Sequence, residues 1–307
     1  WVGTDDGNIQ RTTDGGENWT NTAGNLKDSP EGSYVAQVKA SRFNVGEAVA
    51  VINNYRRGDW TPYLVHTTNY GKKWTNIVEG KGLEGYALSF VQDLVESNLM
   101  FVGTEFGLYF TIDGGDNWTR WTNGYPTVST YDMVIHPREN DLVIGTFGRS
   151  FWVLDDIRPL RELAAEGLDE LDKPIKAFNS PNAYLANWRQ AMGTRFAADA
   201  MYSGDNRPRG AMITYSVNKE LSKKSEKADA PANSSRSWGR RGSDEEQVKV
   251  AIFNESGENI RNFEVTPEHN GVNRMQWGLD RKGMQRPSRR AVRPNMPEPR
   301  GGSVLPG

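Results

Sequence analysis

The stretch Thr111-Ile112-Asp113-Gly114-Gly115-Asp116-Asn117-Trp118 constrains this chain more than any other. Asp113 can accept hydrogen bonds from the amides of its own turn. Gly114 and Gly115 can take positive φ without steric cost, and Trp118 opens the next strand, where it can fold back over the turn. Such a segment is a tight hairpin. It recurs as Thr12-Thr13-Asp14-Gly15-Gly16-Glu17-Asn18-Trp19, and again as Thr67-Thr68-Asn69-Tyr70-Gly71-Lys72-Lys73-Trp74 with Asn in place of Asp. Copies of one eight-residue box at three places imply a repeated β unit.

The segments before the boxes repeat too. Val2-Gly3-Thr4-Asp5-Asp6-Gly7 leads into the first and Val102-Gly103-Thr104-Glu105-Phe106-Gly107 into the third. Ile144-Gly145-Thr146-Phe147-Gly148 leads into a degenerate fourth unit, Phe151–Asp156. Gly103 to Gly145 is about 42 residues, the length of a four-stranded propeller blade. In unit three the pattern predicts strands at 86–92, 99–104, 108–112 and 117–121, with the box joining the last two. Unit four starts with strands at 131–136 and 141–146. Unit two, roughly 33–80, is longer by an insertion at 53–60. The second strand of a unit is nearly all apolar (Leu99-Met100-Phe101-Val102; Leu142-Val143-Ile144), as expected of a strand sandwiched between neighbouring blades. Unit one has no first strand. Because Trp1 opens inside a strand pattern, the expectation is a propeller whose other blades lie upstream.

After Asp156 the pattern stops. Arg158–Leu171 has apolar residues at helical spacing with Pro159 in the first turn,. Residues 173–182 read as a linker. Four strands follow, at 210–217, 247–253, 260–265 and 271–279, with Asn254-Glu255-Ser256-Gly257 as a hairpin turn. An immunoglobulin-like sandwich fits them. Residues 219–246 are charged and rich in Ser and Ala, the composition of a disordered loop. The expected fold class is therefore all-β: propeller blades over 1–158, a helical linker over 159–182, a β-sandwich over 183–285, and a Pro/Arg/Gly-rich tail over 286–307 that ends without a strand.

Composition narrows the function classes. A net charge of −2 supplies no global field to recruit nucleic acid or an anionic membrane,. With no cysteine there is no disulfide and no thiolate metal site,. No run of about 18 apolar residues exists to cross a membrane as a helix. His66 and His136 sit in strand patterns and His269 in a turn, so no histidine cluster predicts a metal, and no cofactor is expected. Gly103-Thr104-Glu105-Phe106-Gly107 precedes a strand rather than a helix, so it is not a phosphate loop.

The boxes match Ser/Thr-x-Asp-x-Gly-x-x-Trp, and on them the chain resembles the Asp-box (BNR repeat) propellers: sialidases, xyloglucanase-like glycoside hydrolases and the sortilin (VPS10) ectodomain. It is most similar to large secreted bacterial proteins of the glycosyl hydrolase-like or sortilin-like type, whose last blade the segment Val143–Asp156 resembles and which add a C-terminal β-sandwich. The resemblance covers residues 1–158 and extends loosely beyond. It implies a secreted or cell-envelope protein, with a leader upstream. A sortilin-like peptide receptor would need a cysteine-rich module, against which the absence of cysteine counts. Asn69 departs from the box pattern and predicts a weaker turn.

Box acids such as Asp113 and Asp116 read as turn chemistry, as do the sequons Asn18-Trp19-Thr20 and Asn117-Trp118-Thr119 that overlap the boxes. Topology points elsewhere. If boxes join strands three and four, the turns between strands two and three lie on the opposite face. Those turns hold Asp5, Asp6, the insertion Tyr55–Trp60 with Arg56, Arg57, Asp59 and Trp60, then Glu105, Phe106, Phe147 and Arg149. Aromatic rings and polar forks suit a glycan, and a glycosidase needs two carboxylates flanking a bond. Asp5 or Asp6 with Glu105 is the candidate pair. The leading expectation is a binding module for a glycan or a protein; the alternative is a glycoside hydrolase. The tail arginines Arg286, Arg289, Arg290, Arg293 and Arg300 read as a solvated linker.

Overall fold

A computed structural model describes residues 1–185, 207–220, 247–284 and 299–304. The chain divides into two compact units, Trp1–Gly167 and Leu168–Gly307.

The first unit is a succession of antiparallel meanders. Val2–Gly3 (β1), Ile9–Arg11 (β2) and Thr20–Asn21 (β3) form a three-stranded sheet. Tyr34–Ala40 (β4), Ala48–Asn54 (β5), Asp59–Thr67 (β6) and Thr75–Asn76 (β7) form a four-stranded one. Ala87–Gln92 (β8), Met100–Thr104 (β9), Gly107–Thr111 (β10) and Thr119–Trp121 (β11) repeat that design. Thr130–Ile135 (β12), Leu142–Thr146 (β13) and Phe151–Leu154 (β14) close the series. Each sheet packs on the next through its inner strands, β1 on β4, β4 and β5 on β8, and β8 and β9 on β12. This is the stacking of propeller blades, in an all-β unit.

Burial follows from that stacking. All seven residues of β5 and all five of β9 are buried, because a strand inside a stacked blade has a neighbour on both faces. Val49, Val51 and Leu64 meet Phe90 and Val102 between the second and third blades. Leu99, Phe101 and Leu108 meet Met133, Leu142 and Ile144 between the third and fourth. Polar side chains also cross these seams: Gln37 Oε1 accepts from Phe90 N at 2.8 Å, and Ser89 Oγ donates to Thr130 O at 2.9 Å.

Two local devices recur. The innermost strands β4, β8 and β12 each hold one extra residue, at Ala36, Leu88 and Tyr131, where pairing to the second strand slips by one. Gly3 and Gly103 each leave a slot for the next blade: a Cβ on Gly3 would lie 2.4 Å from Val35 Cγ1, and one on Gly103 would lie 2.5 Å from Thr130 O. Gly145 stands at the same place in its blade, yet the nearest atom to its missing Cβ is 3.7 Å away, on Asp132 of its own sheet.

The boxes are turns held from within. In the third, Thr111 Oγ1 donates to Asp113 Oδ1 at 2.7 Å and accepts from Gly115 N at 3.0 Å. Asn117 donates its backbone and side-chain amides to the same carboxylate at 2.9 and 2.7 Å. Asn18 does the same for Asp14, so both sequon amides serve their turns. These bonds start the fourth strand of the third blade at Thr119, two residues later than the pattern predicts. The box tryptophans differ. Trp74 is buried, Trp118 donates from Nε1 to Ile77 O of the preceding blade's end, and Trp19 lies half-exposed over Gly16 O.

Arg158–Glu166 (α1) is shorter than its apolar spacing predicts. Gly167, at φ 98°, ends it, and Leu168–Asp172 continues as a 3-10 turn. Arg161 anchors α1 to the box-side turns: it grips both oxygens of Asp93 at 2.7 Å and Asn140 Oδ1 at 2.8 Å.

In the second unit, Ile175–Ala177 (β15) lies in the predicted linker but pairs with Ala211–Val217 (β16). Val248–Phe253 (β17) pairs with Asn259–Val265 (β18) across the expected Asn254–Gly257 turn. Gly271–Trp277 (β19) pairs with β16 along its whole length. Asp280–Lys282 (β20) pairs with Arg300–Ser303 (β21), so the tail does contain a strand. Its backbone, not its side chains, makes that pairing, and no apolar alternation announces it. Buried Arg261 on β18 donates to Pro299 O at 2.5 Å and faces Asp280 at 3.6 Å. Residues 221–246 of the expected disordered loop, and Arg286, Arg289, Arg290 and Arg293, lie outside the described residues. Among the described residues no helix is long and apolar enough to cross a membrane.

Candidate functional site

In each of the first three blades the box joins the two outermost strands, and the preceding hairpin turn lies at the other end of the sheet. That end also carries the links from one blade to the next. Every candidate predicted from the sequence stands in one of these four turns or beside it: Asp5 and Asp6 between β1 and β2; Arg56, Arg57, Asp59 and Trp60 around the β5–β6 turn; Glu105 and Phe106 between β9 and β10; Arg149 between β13 and β14.

The structure separates them by task. Asp59 belongs to its hairpin: its carboxylate accepts from Thr61 N at 3.0 Å, Tyr63 Oη at 2.9 Å and Asn54 Nδ2 at 3.3 Å. Burial would raise its pKa, but these bonds outweigh burial and lower it. Asp6 is likewise tied into its turn, accepting from Thr4 Oγ1 and from Asn8 Nδ2, and these two bonds depress its pKa. Arg57 donates to Glu31 O at 2.8 Å and covers Gly32, so it rivets the β5–β6 turn to the incoming link. Arg149 lends its carbonyl to Trp152 Nε1. These four positions are therefore structural in part or in whole.

The exposed surface is built from rings. The 3-10 turn Tyr55–Arg57 stacks Tyr55 on Tyr86 of the next blade, centroids 4.7 Å apart and planes 17° from parallel. Trp60, 55% exposed, sits 5.7 Å from the same Tyr86 ring. The Arg56 guanidinium covers Tyr34 at 5.2 Å and Tyr55 at 5.7 Å; its hydrogen bond to Tyr55 and the charge of nearby groups including Asp5 raise its pKa. Further along, Tyr131 and Phe147, both exposed, lie 5.7 Å apart. Burial raises the Tyr86 phenol, and the charge of Glu105 adds to it, which places that carboxylate in the field of the row. Rings from three successive blades thus share one end of the unit.

Sequence reasoning placed Phe147 in its turn but missed Tyr34, Tyr86 and Tyr131. An aromatic residue at a strand start reads as core. The available signal was repetition: Ser33-Tyr34, Gly85-Tyr86 and Thr130-Tyr131 each open an innermost strand. Arg120 was missed too. It donates to Glu84 at 3.0 Å, Phe106 O at 2.6 Å and Thr127 at 3.1 Å, fixing the turn that presents Glu105 and Phe106. Ser129 completes the brace, donating to Glu105 O and accepting from Phe147 N.

The candidate acid pair is drawn from two blades that are not neighbours. Asp5 and Glu105 come from the first and third blades, with the whole second blade between them.

No family model matches the chain, and none of the curated proteins matches it. Among solved structures, the chain is similar to YCF48 from Cyanidioschyzon merolae, at 20% identity over 50% of this chain and 51% of that one, with a TM-score of 0.32. It is also similar to a GH74 enzyme from Niastella koreensis, at 16% identity over 71% of this chain and 33% of that one, with a TM-score of 0.40. The chain spans about half the length of the first and a third of the second.

Proposed function

We propose that the ring-bearing end of the blades is a binding surface, and that its ligand is a glycan, or a protein presenting similarly flat polar groups. The observation that carries this reading is the row Tyr55, Tyr86, Trp60, Tyr131 and Phe147, drawn from three blades and partly open to solvent. Sugar rings have an apolar face that stacks on such side chains, and an arginine fork such as Arg56 can reach hydroxyls or a carboxylate. The protein acts as a secreted binding module, with the second unit as spacer or anchor. A binder is favoured over a hydrolase because Asp59 and Asp6 are engaged in their turns and Asp5 lies a blade away from Glu105.

Glycan-array binding followed by calorimetry tests this. Trp60→Ala and Phe147→Ala are each expected to weaken binding about tenfold, as loss of one stacked ring would. Glu105→Gln is expected to change affinity only modestly, with no hydrolysis by either form. A loss of turnover of about 100-fold on Glu105→Gln would establish the hydrolase reading instead. Unchanged binding in both ring variants would remove this end of the blades from consideration.

A further inference from the structure

The box face holds a concavity of about 250 Å³, between the first and second boxes, lined by Trp1, Arg11, Thr12, Thr13, Val45 and Tyr70. Its unusual member is Tyr70. This residue stands where the other boxes have Gly15 and Gly114, and it keeps their left-handed backbone, at φ 62°. A bulky side chain rarely adopts that conformation, and a residue held there is retained by its surroundings. The surroundings are shaped for it: Tyr70 N donates to Gly46 O at 2.8 Å, and a Cβ on Gly46 would come within 2.8 Å of the Tyr70 ring.

The ring is covered by the Arg11 guanidinium at 5.4 Å. Arg11 has no carboxylate partner among the described residues. Its Nε is buried and unpartnered, so Nη1 and Nη2 are the donors left for a ligand. The neighbouring acid, Asp14, is already engaged by Thr12 and Asn18. The second box has Asn69 where the others have Asp, with Lys72 and Lys73 following, so that turn adds positive charge and no negative. Thr13 makes no side-chain hydrogen bond among the described residues. A guanidinium without a counter-ion, a free hydroxyl, two aromatic rings and a valine therefore share one small hollow.

We infer that this hollow binds a small organic carboxylate carried on a flat or ring-shaped body. The Arg11 fork takes the carboxylate, Thr13 offers one hydroxyl, and the rings take the body. An acidic sugar and an aromatic acid share this chemistry. The test is a titration of the protein with galacturonate, galactose and benzoate, followed by NMR shifts or calorimetry. Saturable binding of either acid is expected, with galactose binding at least about tenfold more weakly. Which acid saturates first identifies the source.

Arg11→Gln is expected to weaken acid binding at least about tenfold. Tyr70→Gly restores the residue that the other boxes use, so the protein should fold with an unchanged or higher Tm and yet bind the acid about tenfold less well. Trp60→Ala, on the opposite end of the blades, should leave acid binding unchanged, which separates this inference from the proposed function. Equal binding of galactose, undiminished binding by Arg11→Gln, or no saturation by either acid at about 10 mM would overturn it.

Discussion

Asp113 and Asn69 hold the same place in two turns and show what a carboxylate adds. Both accept from the threonine two residues earlier and from the backbone amide four residues later. Only Asp113 also takes a side-chain amide, from Asn117, since Lys73 stands there in the second box. Asp113→Ala should destabilise the protein by roughly 1–2 kcal/mol in denaturant unfolding, and Asn69→Ala by less. Acid should reveal the charge. Burial raises the Asp113 pKa, but the bonds from Thr111 and Asn117 outweigh it, so the folded value lies below the ordinary one. The turn's contribution is then complete above about pH 4, the unfolded value, and is lost as pH falls through the lower folded value. Acid unfolding of Asp113→Asn, followed by circular dichroism, should show a shallower dependence below pH 4 than wild type. At this scale the sequence was readable because a turn contains its own partners. The ring row was not, because Tyr55 and Tyr86 meet only after two blades have stacked.

Among elements, the repeated Val/Ile-Gly-Thr strand shows how position decides a substitution. Gly103 faces Thr130 O across the seam and Ser89 Oγ of its own sheet, at distances no Cβ can share, whereas a Cβ on Gly145 would meet only Asp132 of its own sheet at ordinary contact distance. Gly103→Ala should therefore cost roughly 1–3 kcal/mol or more by overpacking, and Gly145→Ala close to nothing. Thermal melts of the two variants compare them directly. The blade strands were legible from apolar runs and box turns. The strands β15, β20 and β21 were not: they are short, and their side chains are mixed, so only the partner strand defines them. The extra residues Ala36, Leu88 and Tyr131 were hidden for a related reason, since a bulge exists only relative to the register of a second strand.

Over the whole first unit, stability is carried by interfaces between successive sheets, each touching only its neighbours, as in repeat proteins. Phe90, 1% exposed, sits in the seam between the second and third blades, so Phe90→Ala should cost about 3–5 kcal/mol. Hydrogen exchange should accelerate first in the strands flanking that seam, and uniform acceleration across all blades would argue against this neighbour-by-neighbour picture. The stacking order was legible from the repeat. How the ring row crosses it was not, because that depends on where each link lays its tyrosine. The bulges carry one more consequence, for how such a chain can change in length. A strand's side chains alternate between faces, so removing or adding a single residue reverses every side chain beyond the change. The bulge residues are the exception: without Leu88, the residues Ala87, Ser89 and Phe90 would stand opposite Thr104, Gly103 and Val102 in unbroken register, and Phe90 would keep its seam. Elsewhere along the innermost strands the residue count cannot drift by one; at Ala36, Leu88 and Tyr131 it can. In descendants of this sequence, insertions and deletions should therefore fall in the turns, the links and these three bulges.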